Sequence, residues 1–152
     1  MNSETQTIIA KRYLGSATCE DYVDWAMACL EADIDSKNIR ILASLQKPLY
    51  PSEVDDYFYR SLNDLGWTMP EERESLLQYA RLLAQQIVSD DLPPVEGCRK
   101  MYDIVVALEY PSELIPWIYL EDGVDPNYVG DLTSSDWDDA IKNEAEYFLR
   151  ST

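Results

Sequence analysis

Apolar residues return every three or four positions along most of this chain, a period that fits an α-helix and not a strand. The segment Tyr22, Trp25, Ala26, Cys29, Leu30 shares one helical face. Thr18 is placed to cap that helix, with Glu20 and Asp21 in its first turn, where the helix dipole favours anions. Leu76, Leu77, Ala80, Leu83, Ala84 and Ile87 repeat over about five turns and mark the clearest helix.

The punctuation agrees with the period. Ser3 and Gln6 predict a capping box for a first helix with Ile8, Ile9 and Tyr13, ending at Gly15. Asp35-Ser36 opens a third helix with Ile39, Leu42 and Ala43 inward and Ile41 and Leu45 beside them. Pro51-Ser52-Glu53 opens a fourth, along Val54, Tyr57, Phe58, Leu62 and Leu65, and Gly66 takes the left-handed stop. Thr68 and Glu71 predict a capping box for the fifth, with Pro70 in its first turn. Val95, Cys98, Met101, Tyr102, Val105 and Leu108 mark a sixth. Pro111 to Leu120 reads as a short helix with a bend at Pro116, or as a buried turn. After a polar loop over 121–134, Ser135 with Asp138 caps a last helix carrying Trp137, Ile141, Ala145, Phe148 and Leu149.

No alternating run of strand length interrupts this pattern. The expectation is an all-α fold: a compact antiparallel helical bundle of about seven helices, or else a short stack of helix pairs. At 152 residues one domain, 1–152, is expected, with a core that needs neither disulfide nor metal. Cys19, Cys29 and Cys98 match no disulfide framework and no zinc spacing. The opening Met1-Asn2-Ser3-Glu4 has neither the basic start nor the apolar run of a signal peptide, and no stretch approaches a membrane span. A reducing cytoplasm is the expected location.

Charge bears most on function. The chain holds 29 acidic residues, 12 basic ones and no histidine, a net of -17. The excess is graded: -2 over residues 1–51, -7 over 52–110 and -8 over 111–152. Nucleic acid and anionic membranes are thereby excluded as direct ligands, because binding them needs cations that release counterions. A basic protein is the partner such a field attracts.

Catalytic readings are few. Without histidine, serine–histidine and cysteine–histidine nucleophile systems cannot be built, and the five scattered glycines form no phosphate loop. Glu71-Glu72-Arg73-Glu74 hints at the paired carboxylates by which helical nucleotide hydrolases hold magnesium. Glu71 and Glu72 are also where acids simply stabilise a helix start, and Glu109 and Glu113, the nearest partners, straddle Pro111. Asp122, Asp125, Asn127 and Asp131 fail the calcium-loop spacing, since Val124 and Pro126 stand at the alternate positions. The expectation is no enzyme and no cofactor, with the metal-dependent nucleotide hydrolase of Glu71, Glu72 and Glu74 as the alternative.

An interaction surface fits better. Eleven tyrosines and four tryptophans exceed what a core of this size takes up. In the run Tyr57-Phe58-Tyr59 neighbours point about 100° apart, so one ring leaves the core, and Tyr59 is the one off the stripe. Aromatic anchors ringed by carboxylates suit a basic protein. The expected contact residues are Tyr59 and Tyr128 with Asp122, Asp125, Asp131, Asp136, Asp138 and Asp139. Arg40, a cation in a mostly apolar helix, is expected to pair with Asp55 or Asp56 and fix how two helices pack.

The stretch Asp35-Ser36-Lys37-Asn38-Ile39-Arg40-Ile41-Leu42-Ala43-Ser44-Leu45, with Glu53-Val54-Asp55-Asp56-Tyr57-Phe58 and Leu62-Asn63-Asp64-Leu65-Gly66, resembles a pattern in small bacterial acidic helical proteins of no assigned activity. In size, acidity and helicity the whole chain also resembles the immunity proteins that neutralise secreted bacterial toxins. That likeness implies a non-catalytic inhibitor that occludes a basic, nuclease-like toxin. A helical adaptor or scaffold subunit is the other binding-protein reading.

Overall fold

The structure is a computed structural model and describes residues 1–123 and 134–151. It is all-α, and no strand occurs among the described residues. The α-helices are α1 (Ser3–Tyr13), α2 (Cys19–Glu31), α3 (Lys37–Ser44), α4 (Pro51–Asp64), α5 (Glu72–Val88), α6 (Pro94–Ala107), α7 (Ile115–Glu121) and α8 (Ser134–Ser151). A 3-10 turn, Ser112–Leu114, leads into α7. The eighth helix, beyond the seven expected, is α7. Pro116 does not bend it, because it sits in the first turn, where a missing N–H breaks no bond.

Two compact units make up the chain, Met1–Ser75 and Leu76–Thr152. In the first unit α2 packs on α1, α3 and α4, and α3 packs on α4. Its core is Ile8, Ile9, Tyr22, Trp25, Ala26, Cys29, Ile39, Leu42, Val54, Phe58 and Leu62. Phe58 is at the centre, meeting Tyr22 at 4.9 Å and Trp25 at 5.0 Å between ring centroids, both edge-on, as the ring quadrupole favours.

Polar ties join the same helices. Arg12 of α1 pairs with Asp55 of α4, donates to the Tyr22 hydroxyl at 3.0 Å and to the Tyr59 hydroxyl at 3.1 Å, and stands 4.8 Å from the Tyr59 ring centre. Burial works against the guanidinium charge, but Asp55 and Tyr22 outweigh it, so its pKa lies above the usual value. Trp25 Nε1 donates at 2.9 Å to the hydroxyl of fully buried Thr5, which in turn donates to Asn2.

The expected role of Arg40 therefore falls to Arg12. Arg40 is largely exposed and pairs at 3.1 Å with Asp35, just ahead of its own helix, while Asp56 pairs with Arg60 at 3.1 Å. A cation so close to its own helix start finds a local carboxylate before it can reach across to another helix.

Helix ends also differ from expectation in three places. Asn2, not Ser3, caps α1, accepting the Thr5 N–H at 3.0 Å. At α5 the Glu71 carbonyl accepts the Ser75 N–H, so the helix starts past Thr68 and Pro70. Ser135 lies inside α8 and does not cap it. Thr18 with Asp21 forms the capping box expected for α2.

In the second unit α6, α7 and α8 pack on one another. Met101, Ile104, Val105, Leu114, Trp117, Leu120, Ile141 and Ala145 are almost wholly withdrawn from solvent there. Gly97 is inside α6, not in a turn. It lets the end of α5 and the following loop approach closely: a methyl on Gly97 would lie 2.6 Å from Ile87 Cγ1 and Cδ1 and 3.2 Å from Leu92 Cδ2.

Candidate interaction surface

Between Lys100 and Lys142 the chain carries ten carboxylates and no cation. This run spans the second half of α6, all of α7 and the first two turns of α8, all within the second unit. Over Leu76–Thr152 there are five basic and fifteen acidic residues.

Local structure gathers part of that run. α6 ends with Glu109 and Tyr110 both in the left-handed region, φ 57° and 60°. Their N–H groups bond back to Val106 O at 3.1 Å and Val105 O at 2.9 Å, which closes the helix and turns the chain sharply. Pro111 and the 3-10 turn then bring α7 back onto α6. At the far end of α7, Trp137 of α8 donates its indole N–H to Leu120 O at 2.6 Å. That bond ties the start of α8 to the end of α7.

Asp103 and Tyr102 of α6, and Tyr110 just past its end, join them. Glu121 accepts a hydrogen bond from the buried Cys98 thiol and lies within electrostatic reach of Asp103, Asp122 and Arg99. Partial burial, then Asp103 and Asp122, lift the Glu121 carboxyl above the usual range, against the pull of Arg99 and the thiol. Burial, then the Glu121 charge, pushes Cys98 up to about 12, so this cysteine stays a thiol. The Tyr102 and Tyr110 hydroxyls share a hydrogen bond close to Asp122 and Glu121, and that bond chiefly raises the Tyr102 pKa.

Crowding of this kind has a sign. A carboxyl with a raised folded-state pKa loses its unfolded-state proton first, so the fold weakens as pH climbs from the ordinary glutamate range through the folded value. Glu121→Gln removes that loss and keeps an acceptor for the thiol. Thermal denaturation is expected to show wild type and variant alike near pH 4, with the variant melting higher at pH 7. A gap that does not widen with pH would contradict this origin.

The expected contact residues distribute as follows. Asp122, Asp136 and Asp139 are exposed and Asp138 is half-buried. Asp138 and Asp139 also face Lys142, which pairs with Asp90, and Asp90 chiefly holds that lysine's pKa up. Asp125, Tyr128 and Asp131 lie outside the described residues. Tyr59 is 44% exposed, but it belongs to the first unit and engages Arg12. Sequence reasoning passed over Asp103, Glu121, Tyr102 and Tyr110. The signal that finds them is the cation-free run itself, since nothing within it can neutralise its own acids.

Glu71, Glu72 and Glu74 are exposed at the start of α5. Among the described residues no group of three or more cysteine, aspartate or glutamate side chains is arranged to hold a metal ion. No helix among them is long and apolar enough to cross a membrane. No family model matches this chain, and neither does any curated protein or solved structure.

Proposed function

We propose that the protein is a non-catalytic acidic binding protein that masks a basic protein, in the manner of an immunity protein neutralising a nuclease-like toxin. One observation carries this reading: ten carboxylates without a cation between Lys100 and Lys142, with Asp103 and Asp122 within electrostatic reach of Glu121. Lysines and arginines that grip phosphate are the natural complement of such a surface, and a protein seated on them excludes nucleic acid. The expected location is the cytoplasm, where an inhibitor of a self-made toxin would act.

The test is affinity capture from the native cell at low and moderate salt, followed by reconstitution. A basic protein is expected in a stoichiometric complex that weakens as salt rises, with its nucleic-acid cleavage blocked. Asp122→Lys combined with Asp136→Lys and Asp139→Lys is expected to abolish capture. Recovery of no basic partner at either salt, or full retention by the charge-reversed variant, would refute the reading.

A further inference from the structure

Helix α7 is apolar on two sides. Trp117 and Leu120 are fully buried on its inner side. At 100° per residue, Ile115, Tyr119 and Asp122 fall in a row on the other side. Ile115 is 43% and Tyr119 49% exposed, and exposed Asp122 closes the row. Of the seven residues Ile115–Glu121 only Glu121 is charged. A surface helix ordinarily turns polar side chains to water, and one that is apolar all round is ordinarily covered. Tyr110, three residues past α6, is exposed as well. Tyr110 is held by Tyr102, which lies close to Asp122, at the C-terminal end of the row.

We infer that the outer side of α7 is the seat for a cationic amphipathic segment of a protein partner, whose apolar side chains pack on Ile115 and Tyr119 while its lysines or arginines meet Asp122 and the neighbouring acids. Charge selects this occupant. A second copy of the chain would bring five basic against fifteen acidic residues in the same unit to face the same imbalance. Nucleic acid and anionic lipid are repelled for the same reason. A purely polar cationic chain would leave Ile115 and Tyr119 wet, whereas a segment with its own apolar stripe covers them and satisfies the acids together. The inference rests on the proposed function in one respect, that the partner is cationic, and adds that it brings apolar side chains to α7.

The experiment uses the full chain and two synthetic peptides of equal length and charge. One carries leucines at helical spacing between its lysines, the other glutamines in their place. Calorimetry is expected to show the lysine–leucine peptide binding about tenfold tighter or more. Ile115→Ser with Tyr119→Ser is expected to erase that margin and leave the lysine–glutamine peptide unaffected. Hydrogen exchange on the wild-type protein gives a readout independent of the variant's folding: the lysine–leucine peptide is expected to slow exchange across 115–121. Equal affinities for the two peptides, or no protection there, would overturn the inference while leaving a cationic partner intact. Binding of neither peptide at low salt would remove the cationic partner itself. A wild-type dimer in sedimentation that the double variant loses would assign α7 to a second copy, and would also overturn it.

Discussion

Phe58→Ala is expected to cost the first unit about 3–5 kcal/mol, the range for emptying a buried phenylalanine site. Phe58 has no exposed surface, and Tyr22 and Trp25 both meet it edge-on about 5 Å away. Removing the ring forfeits its burial and both aromatic pairings, which are worth about 0.5–1.5 kcal/mol each beyond the area they bury. The site collapses poorly. Trp25 is tethered through its indole N–H to Thr5, and Tyr22 through its hydroxyl to Arg12, so neither ring is free to fill the space. Since a domain of this kind is stable by about 5–15 kcal/mol in all, the loss takes a large share of the total. Urea denaturation followed by tryptophan fluorescence measures it, with Trp25 as a reporter beside the cavity. Phe58→Leu, which keeps much of the volume, is expected to cost clearly less; equal losses would show that the aromatic cluster is not what holds these helices.

Gly97→Val is expected to destabilise the second unit by about 1–3 kcal/mol, the usual cost of forcing atoms into a filled core. Two effects compete at this position. Glycine in a helix interior is worse than alanine by about 0.8–1.0 kcal/mol, so any side chain gains some helix propensity. Against that, the first added carbon would stand 2.6 Å from Ile87, far inside contact distance. Ile87 is fully buried and Leu92 nearly so, leaving little room for either to retreat. Steric overlap wins, and Gly97→Ala is expected to be destabilising despite its better propensity. The mechanism has its own check in a double-mutant cycle. Ile87→Ala, harmful alone, is expected to recover part of the loss when combined with Gly97→Ala. Simple additivity of the two would place the cost elsewhere.

Most of the helices were legible because they rest on nearest-neighbour physics. The three-and-four spacing at Tyr22, Trp25, Ala26 and Cys29, the capping box of Thr18 and Asp21, and the left-handed stop at Gly66 are settled within a turn or two of chain. The caps that went elsewhere did so by local competition. Asn2 reaches the Thr5 N–H one residue ahead of Ser3, and the α5 helix starts one turn later than Thr68 would place it. Pro111 to Leu120 left a short helix and a buried turn both open, because Ile115–Leu120, apolar on all sides, has no preferred face to give a period.

The charge of the chain, its all-helical character and the exclusion of histidine chemistry were fixed by residue type and short-range order alone, because each depends on composition or on contacts within a turn. Tertiary structure alone decided that Arg12 and not Arg40 bridges helices, that Gly97 serves close packing, and that the Trp137 indole of α8 reaches Leu120 near the end of α7. Those outcomes turn on which helix faces meet at a few ångströms, and chain spacing carries no record of a distance between residues far apart along it.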